Sequence, residues 1–360
     1  MDILRLLVFL LGLAIVARAV FSAIQTFVLP RSANDRLSRF VFGATLSVFR
    51  LLLRKTRTYQ QRDRIMAFFA PIGLLTLIPT YLILIFLGFA GMYWALGNVG
   101  SIEQALKVSG SSIVTLGYAA PDDLADGLLM FAEAAIGLIL VAVLIAYLPM
   151  MYTAFQRREQ AVTLLEVRAG SPPSAVELIL RYHRIHGLDQ LHTLWVQWEQ
   201  WFADIEESHT SLAALVFFRS PQPNHSWVTA AGAILDAAAL LRSTVAVPHD
   251  AQADLCIRAG YLALHRIADF FKFHYNAHPA PDDPISLSRA EFDAAYDELA
   301  HSGVPLLPDR DQAWRDFAGW RVNYDAVLLA LAAITMAPYA PWSSDRSLLP
   351  AGRGSSDRAK

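Results

Sequence analysis

Two long stretches of the chain are almost free of charged residues. Residues 65–102 contain no Asp, Glu, Lys or Arg, and residues 127–156 contain a single one, Glu133. Each stretch exceeds the roughly 20 residues that a helix needs to cross the ~30 Å hydrocarbon core of a bilayer. Each therefore predicts a transmembrane helix.

A third apolar stretch lies within residues 1–30. Arg5 precedes an apolar run over residues 6–17, Arg18 interrupts it, and the apolar pattern then resumes. A cleavable signal peptide would combine early basic residues with one short apolar run and a small-residue cleavage site. Because the pattern continues beyond Arg18, we expect an extra, uncleaved first span, and a signal peptide is the alternative.

The basic residues between these stretches predict the orientation. Residues 31–64 hold nine Lys and Arg against two Asp, and segments of this kind stay on the cytoplasmic side. We therefore expect a multi-pass protein of the inner or plasma membrane, with its N-terminus and residues 98–126 outside. The chain from Arg157 onward is then cytoplasmic.

Apolar residues recur at helical spacing within this basic linker. The apolar positions are Leu37, Val41, Ala44, Val48, Leu51 and Leu52, and the opposite side carries Arg36, Arg39, Gly43, Ser47, Arg50 and Arg54. The pattern predicts an amphipathic helix that lies on the inner leaflet and binds anionic lipid. The alternative is a soluble helix that caps the cytoplasmic domain.

The connection between the second and third spans holds a short helix and a Thr-x-Gly-Tyr segment. Ser101 and Gln104 have capping-box spacing, which predicts a helix over residues 101–114 that is too short to span and must enter the membrane and return. The segment that follows is Thr115, Leu116, Gly117, Tyr118 and Ala119. Non-helical backbone at membrane depth survives only where it is buried in protein or lines a watery cavity. The order of elements therefore predicts a cation pore, in which carbonyl oxygens and the Thr hydroxyl replace the ion's water shell.

This arrangement resembles the pore module of the potassium channel superfamily, whose filter is Thr-Val-Gly-Tyr-Gly-Asp. The resemblance covers residues 65–156, under a third of the chain, and departs from the family at Leu116, at Ala119 in place of the last Gly, and at Ala120 in place of Asp. In the family that last Gly has a positive φ, which costs a residue with a Cβ about 1–2 kcal/mol. Either residues 118–119 take a different path or the packed pore absorbs the strain. An ordinary connector in an unrelated membrane protein is the alternative.

Acidic residues flank the predicted filter. Asp122 and Asp123 follow it and would concentrate cations at the outer mouth. Glu133 lies one to two turns inside the third span, where a carboxyl group needs a partner. We expect it to support the filter from behind, together with Ser111, Ser112 or the hydroxyl of Tyr118, rather than to bind the ion.

The third span, with its inner helix over residues 127–156, contains the candidate gate. Gly137 lies where the family's inner helix has its hinge glycine, although close helix packing also explains a glycine there. Pro149 removes a helix hydrogen bond and predicts a kink, and Tyr152 lies near the cytoplasmic end. The resemblance implies four copies around an axis, hence a homotetramer, with K⁺ or another monovalent cation as the permeant ion.

Composition changes along the chain. The whole protein is 55% hydrophobic and 17% charged, but its net charge is +4 over residues 1–156 and −6 over residues 157–360, and all ten histidines lie in the second part. Helical patterns there cover residues 188–207, 227–245, 251–275, 288–301 and 309–336. Pro-rich turns separate them. We expect an all-helical cytoplasmic domain over residues 157–340 and a disordered tail over residues 341–360.

Motifs of catalysis are missing from this second part. It has no G-x-G-x-x-G turn, P-loop or nucleophile elbow, so we expect no enzyme, no cofactor and no nucleic-acid partner. Two histidine pairs, His183 with His186 and His274 with His278, have the spacing of a metal or proton sensor, although solvated or core histidines are commoner. The tryptophans at 195, 198 and 201 predict a packed core.

The sequence therefore predicts an all-α membrane protein with three transmembrane helices, a re-entrant pore helix and filter, and a helical cytoplasmic domain. The expected function is a tetrameric cation channel, potassium-conducting with its selectivity left open by Ala119, and modulated by the cytoplasmic domain. Two alternatives stay open. One is a non-conducting receptor or scaffold derived from a channel, and the other is a membrane-anchored helical enzyme or binding module.

Overall fold

The computed structural model describes residues 3–29, 35–56, 58–121 and 123–346, and every regular element in these ranges is a helix. The thirteen α-helices of these ranges are α1 (Ile3–Phe27), α2 (Arg36–Leu53), α3 (Tyr59–Met66), α4 (Phe69–Leu96), α5 (Ile102–Ile113), α6 (Leu124–Ala169), α7 (Ala175–Arg184), α8 (Leu191–Ser211), α9 (Trp227–Thr244), α10 (Ala251–Phe270), α11 (Arg289–His301), α12 (Arg310–Arg321) and α13 (Asp325–Thr335). Short 3₁₀ turns and one isolated bridge between Val245 and Leu306 complete the described chain. The predicted all-α class is confirmed.

Three helical stretches of the described chain are long and apolar enough to cross a membrane. They are Ile3–Phe27, Tyr59–Leu96 and Leu124–Ala169, the three that the hydrophobic pattern predicts. A fourth would be counted only if α12 and α13, which are bent by 55°, formed one span.

The chain divides into two compact units. The first comprises Met1–Thr153 with Ser211–Phe218, and the second comprises Ala154–Thr210 with Arg219–Lys360. The predicted boundary at residue 157 lies close to the observed one, because the apolar pattern ends there. No sequence pattern predicts that residues 211–218 belong to the first unit.

Helix α4 is the centre of the first unit, and α1 packs along its second half. The two helices approach most closely at two glycines, since a Cβ on Gly88 would lie 2.6 Å from a methyl carbon of Val16 and 2.8 Å from the carbonyl oxygen of Gly12. Small residues at such a crossing allow close backbone packing without a hydrophobic driving force in lipid.

Helix α2 packs lengthwise on the first half of α4. Phe42 lies against Gly73, and the rings of Phe49 and Phe69 are 5.6 Å apart, so the two helices run antiparallel. The residues of α2 that are buried in this packing are Val41, Thr45 and Phe49. Val48, Leu51 and Leu52, which the pattern placed on the apolar face, are 58%, 60% and 49% exposed.

A buried polar network joins the start of α2 to α1 and α4. Asp35 caps α2 by accepting from the backbone N–H of Ser38 at 2.7 Å, and it also accepts from Ser22 at 2.6 Å and Arg18 at 2.9 Å. Burial raises the pKa of Asp35, but these hydrogen bonds outweigh burial and hold it below its usual value. The hydroxyl of Tyr81 lies 3.1 Å from that of Ser22. The Arg18 that interrupts the first apolar stretch therefore has a carboxylate partner.

In the second unit, α9 is the core helix. All its residues except Arg242 are buried, and it packs against α7, α10, α12 and α13. The tryptophans at 195, 198 and 201 are buried on α8, as predicted. The predicted helices over residues 309–336 and 251–275 differ in detail, because α12 and α13 are separate helices and α10 ends at Phe270.

One buried arginine ties the last described residues to this core. Arg321 is completely buried and donates to Asp236 of α9, to Asp325 of α13 at 2.8 Å and to the carbonyl oxygen of Trp342. Residues 341–346, which the sequence placed in a disordered tail, are therefore packed and end in a 3₁₀ turn. The rest of that predicted tail lies outside the described residues.

A buried histidine gives this unit a pH-dependent stability. Nε2 of His209 accepts a hydrogen bond from Arg158 at 3.2 Å, Nδ1 lies 3.1 Å from the Ser208 hydroxyl, and the ring packs on Trp227. Burial, and next the charge of Arg158, hold the pKa of His209 well below 6.5. Glu159 binds the other side of the same guanidinium. In the folded unit the imidazole ring of His209 is therefore neutral.

We expect the free energy of unfolding to fall as pH drops below about 6.5, with a contribution from His209 approaching 1.4 kcal/mol per pH unit. The reason is that the unfolded chain then takes up a proton that the folded chain excludes. Denaturant titrations between pH 7.5 and 5 measure this slope. His209→Gln should flatten it, and His192→Gln, at an exposed histidine, should not. Equal slopes for wild type and His209→Gln would contradict the assignment.

Candidate functional site

Helix α5 lies beside the second half of α4 and the first part of α6. It begins where predicted, with the Ser101 hydroxyl accepting from the backbone N–H of Gln104 at 3.2 Å. At its other end, the carbonyl oxygen of Ile113 lies against Gly137 of α6. Gly137 is 13 residues into α6, so α5 ends about 20 Å along that helix from its start.

Glu133 lies behind α5 and is completely buried. Its carboxylate accepts from the Ser109 hydroxyl at 2.5 Å and from the Tyr93 hydroxyl at 3.1 Å. Of the three expected hydroxyl partners, Ser112 interacts with this carboxyl group. The other two hydroxyl groups, those of Ser109 and Tyr93, were not among the expected ones. The sequence did not identify them, because Tyr93 is 40 residues away and belongs to another helix.

Ser111 and Ser112 hold the neighbouring backbone in place. The Ser112 hydroxyl donates to the carbonyl oxygen of Met130 at 2.8 Å, which joins α5 to α6. The Ser111 hydroxyl accepts from the backbone N–H of Ala119 at 3.1 Å. Together with Ser109, these serines connect α5 to α4, to α6 and to the segment that follows α5.

The segment after α5 begins with a Schellman turn. The backbone N–H of Leu116 donates to the Ser111 carbonyl at 2.8 Å and that of Thr115 donates to the Ser112 carbonyl at 2.9 Å, the two bonds that define this motif. Thr115 accordingly has φ of 55°, and Gly117 has φ of 71°. Ala119 is not among the described residues with positive φ. Of the two paths left open by the sequence, the structure therefore adopts the different one, without left-handed strain at Ala119.

The predicted filter residues are open to their surroundings in the single chain. Leu116 and Tyr118 are 67% and 65% exposed. The adjoining α6 also has an exposed apolar face, which includes Phe131, Ile139 and Ile145. Apolar surfaces of this extent mark contacts with lipid or with another protein chain.

The three gate candidates have different surroundings. A Cβ on Gly137 would lie 2.5 Å from the carbonyl oxygen of Ile113, so the close-packing explanation accounts for this glycine. Pro149 lies within α6, which continues as one helix on both sides of it. Tyr152 is 61% exposed. These positions share α6 but do not form one cluster.

The acidic residues of the predicted outer mouth are only partly described. Asp122 lies outside the described residues. Asp123 directly precedes α6, and its carboxylate accepts from the backbone N–H of Ala125 at 2.9 Å. Among the described residues, no group of three or more His, Cys, Asp or Glu is arranged to hold a metal ion.

Glu133 supports α5 through hydrogen bonds to its carboxylate, so its loss should be costly. We expect Glu133→Ala to lower the free energy of unfolding by about 2–4 kcal/mol, because it leaves a cavity and removes the acceptor of the buried Tyr93 hydroxyl. Glu133→Gln keeps an acceptor oxygen and should cost much less. Thermal unfolding of the two purified variants and the wild type measures each loss of stability. Equal losses for Ala and Gln would contradict a role for the acceptor oxygen.

No known protein family, curated protein or solved structure matches this chain. The function of the site has to follow from its own geometry.

Proposed function

We propose that this chain is one subunit of a homotetrameric cation channel, in which residues 115–119 line the ion path. The observation that carries the proposal is the position of α5. A 12-residue helix ends beside Gly137, about 20 Å along α6, and residues 114–123 lead back to the start of α6. In a membrane crossed by α4 and α6, this connection is a re-entrant loop, and its backbone carbonyl groups need water, protein or ions as partners.

The exposed surfaces of the single chain support assembly around an axis. One loop cannot surround an ion, and closed cyclic symmetry supplies further copies. The exposed filter segment and the apolar face of α6 would both be covered by neighbouring copies. Lipid, with anionic headgroups near the basic residues of α2, would cover the rest.

The degree of selectivity for potassium depends on a segment that does not repeat the family's backbone. Positive φ values at Thr115 and Gly117, and the bond from Ala119 to Ser111, set its path. This path supports conduction of monovalent cations, with K⁺ first among them. The proposed gate is the part of α6 around Pro149 and Tyr152, and the second unit, on the cytoplasmic side, would modulate it.

Reconstitution of the purified full chain into liposomes tests the proposal. We expect cation flux, a reversal potential in a K⁺/Na⁺ gradient that favours K⁺, and a native mass of four chains. Gly117→Ala should reduce the flux, because φ of 71° strains any residue with a Cβ. Gly127→Ala is the matched control, since its Cβ would meet nothing within 4 Å. A native monomer or dimer would exclude the pore.

A second candidate function is a non-conducting receptor that keeps the channel architecture. Ala119 favours it, because its backbone N–H is fixed by Ser111 and its φ differs from that of the family's glycine. A tetramer that is silent as wild type and conducts as Ala119→Gly would support this candidate over the channel.

A further inference from the structure

A groove of about 310 Å³ lies within the second unit, between α8 and the last three turns of α6. Its floor and lip are apolar and include Leu164, Leu165, Leu194, Trp198 and Trp201, and Leu164 is 50% exposed. Gln160, Gln197 and Gln200 add amide groups to its walls. An apolar, aromatic surface with a few polar groups is the usual composition of a small-molecule site.

Two arginines mark the ends of this groove, and they differ in their partners. Arg157 pairs with Asp204 at 3.3 Å. Arg168 donates to the carbonyl oxygen of Leu164 in its own helix at 3.0 Å, and no carboxylate of the described ranges pairs with it. With Asp204 balancing Arg157, the groove carries one uncompensated positive charge, at its Arg168 end.

The dimensions indicate a single apolar chain. Arg157 and Arg168 are 11 residues apart on α6, which is about 16 Å along the helix. The volume lies at the lower end of the range for ligand pockets. The groove also begins directly after the charge-free residues 134–156, so a molecule that partitions into the membrane reaches it over a short distance.

We propose that this groove binds a single-chain anionic amphiphile of the membrane, of the long-chain carboxylate class. The carboxylate pairs with Arg168, and the chain lies over Leu164, Trp198 and Trp201 toward Arg157. This site lies outside the filter and α5, and binding to it is independent of whether the chain conducts ions.

Quenching of tryptophan fluorescence by a bromine-labelled chain tests this proposal. The full chain is placed in nanodiscs of zwitterionic phosphatidylcholine and titrated with 12-bromododecanoate, and then with the bromine-labelled alcohol and trimethylammonium of equal chain length. We expect saturable quenching by the carboxylate alone. Trp198→Phe should remove part of it, because bromine quenches only nearby rings.

The matched variants are Arg168→Gln in the groove and Arg315→Gln on the exposed side of α12. We expect Arg168→Gln to raise the half-saturation concentration at least about tenfold, the effect of losing one charge-assisted hydrogen bond, and Arg315→Gln to leave it unchanged. Non-saturating quenching, or equal quenching by all three head groups, would show partition into the bilayer only. That result, or an unchanged affinity of Arg168→Gln, would overturn the proposal.

Discussion

Gly137→Ala is expected to separate α5 from α6 and to stop cation flux. The added Cβ would lie 2.5 Å from the carbonyl oxygen of Ile113, closer than carbon and oxygen approach without displacement of the backbone. Overpacking of this kind costs about 1–3 kcal/mol. The cost falls on the end of the helix that supports residues 115–119. Thermal unfolding in detergent measures the loss of stability, and liposome flux measures the loss of conduction.

Gly127→Ala gives a control of opposite sign in the same helix. Its Cβ would meet nothing within 4 Å, and alanine is a better helix former than glycine by about 1 kcal/mol. It should therefore keep or raise the unfolding temperature and leave flux intact. If both variants behaved alike, the close approach of α5 to α6 would be wrong. If the wild type showed no cation flux and Gly137→Ala still lowered the stability, the close packing of α5 on α6 would be supported and the channel proposal would be wrong.

Arg321→Leu should unfold the second unit or leave it barely stable. The substitution keeps an apolar stem but leaves Asp236 and Asp325 buried without their cation and frees the carbonyl oxygen of Trp342. Removing one member of a buried ion pair costs about 3–5 kcal/mol, a large part of the stability of an ordinary domain. Urea titration followed by tryptophan fluorescence measures the change.

The matched substitution is Arg315→Leu on the same helix. Within the part of the chain that the structure describes, Arg315 donates to the side chain of Gln312, one turn away, and lies on the exposed face. We expect a change within about 0.5 kcal/mol there, as for most surface substitutions. A small effect of Arg321→Leu would mean that water replaces the guanidinium, and that the ring contact of Trp342 and the ion pair of Arg346 with Glu291 suffice to hold residues 341–346.

The sequence predicted the elements of the first unit that depend on local pattern. The charge-free stretches marked α4 and α6, and Ser101 marked the beginning of α5, because hydrophobic length and helix capping are properties of neighbouring residues. The partnership of Glu133 with Tyr93 could not be predicted in this way. Tyr93 reaches it from another helix, and only the packing of α4 against α6 brings the two together.

The errors have physical causes as well. The helical spacing predicted α2 itself but not which of its residues contact α4. Thr45 and Phe49, which the pattern left off the apolar face, are buried, whereas Val48 on that face is exposed. The tail was predicted from its Ser, Arg and Gly content. Its first residues are ordered because Arg321, 21 positions earlier, binds the carbonyl oxygen of Trp342. That contact spans too long a distance in sequence for composition to reveal it.

The length of α6 has a mechanical consequence. Its 46 residues make a rod about 69 Å long, more than twice the thickness of a hydrocarbon core. Pro149 divides this rod, with about 30 Å of helix between it and Ala169. A change of about 10° in bend at the proline would therefore move the far end by about 5 Å. In the other direction, a displacement of a few ångströms at Ala169 corresponds to only a small angular change at the proline.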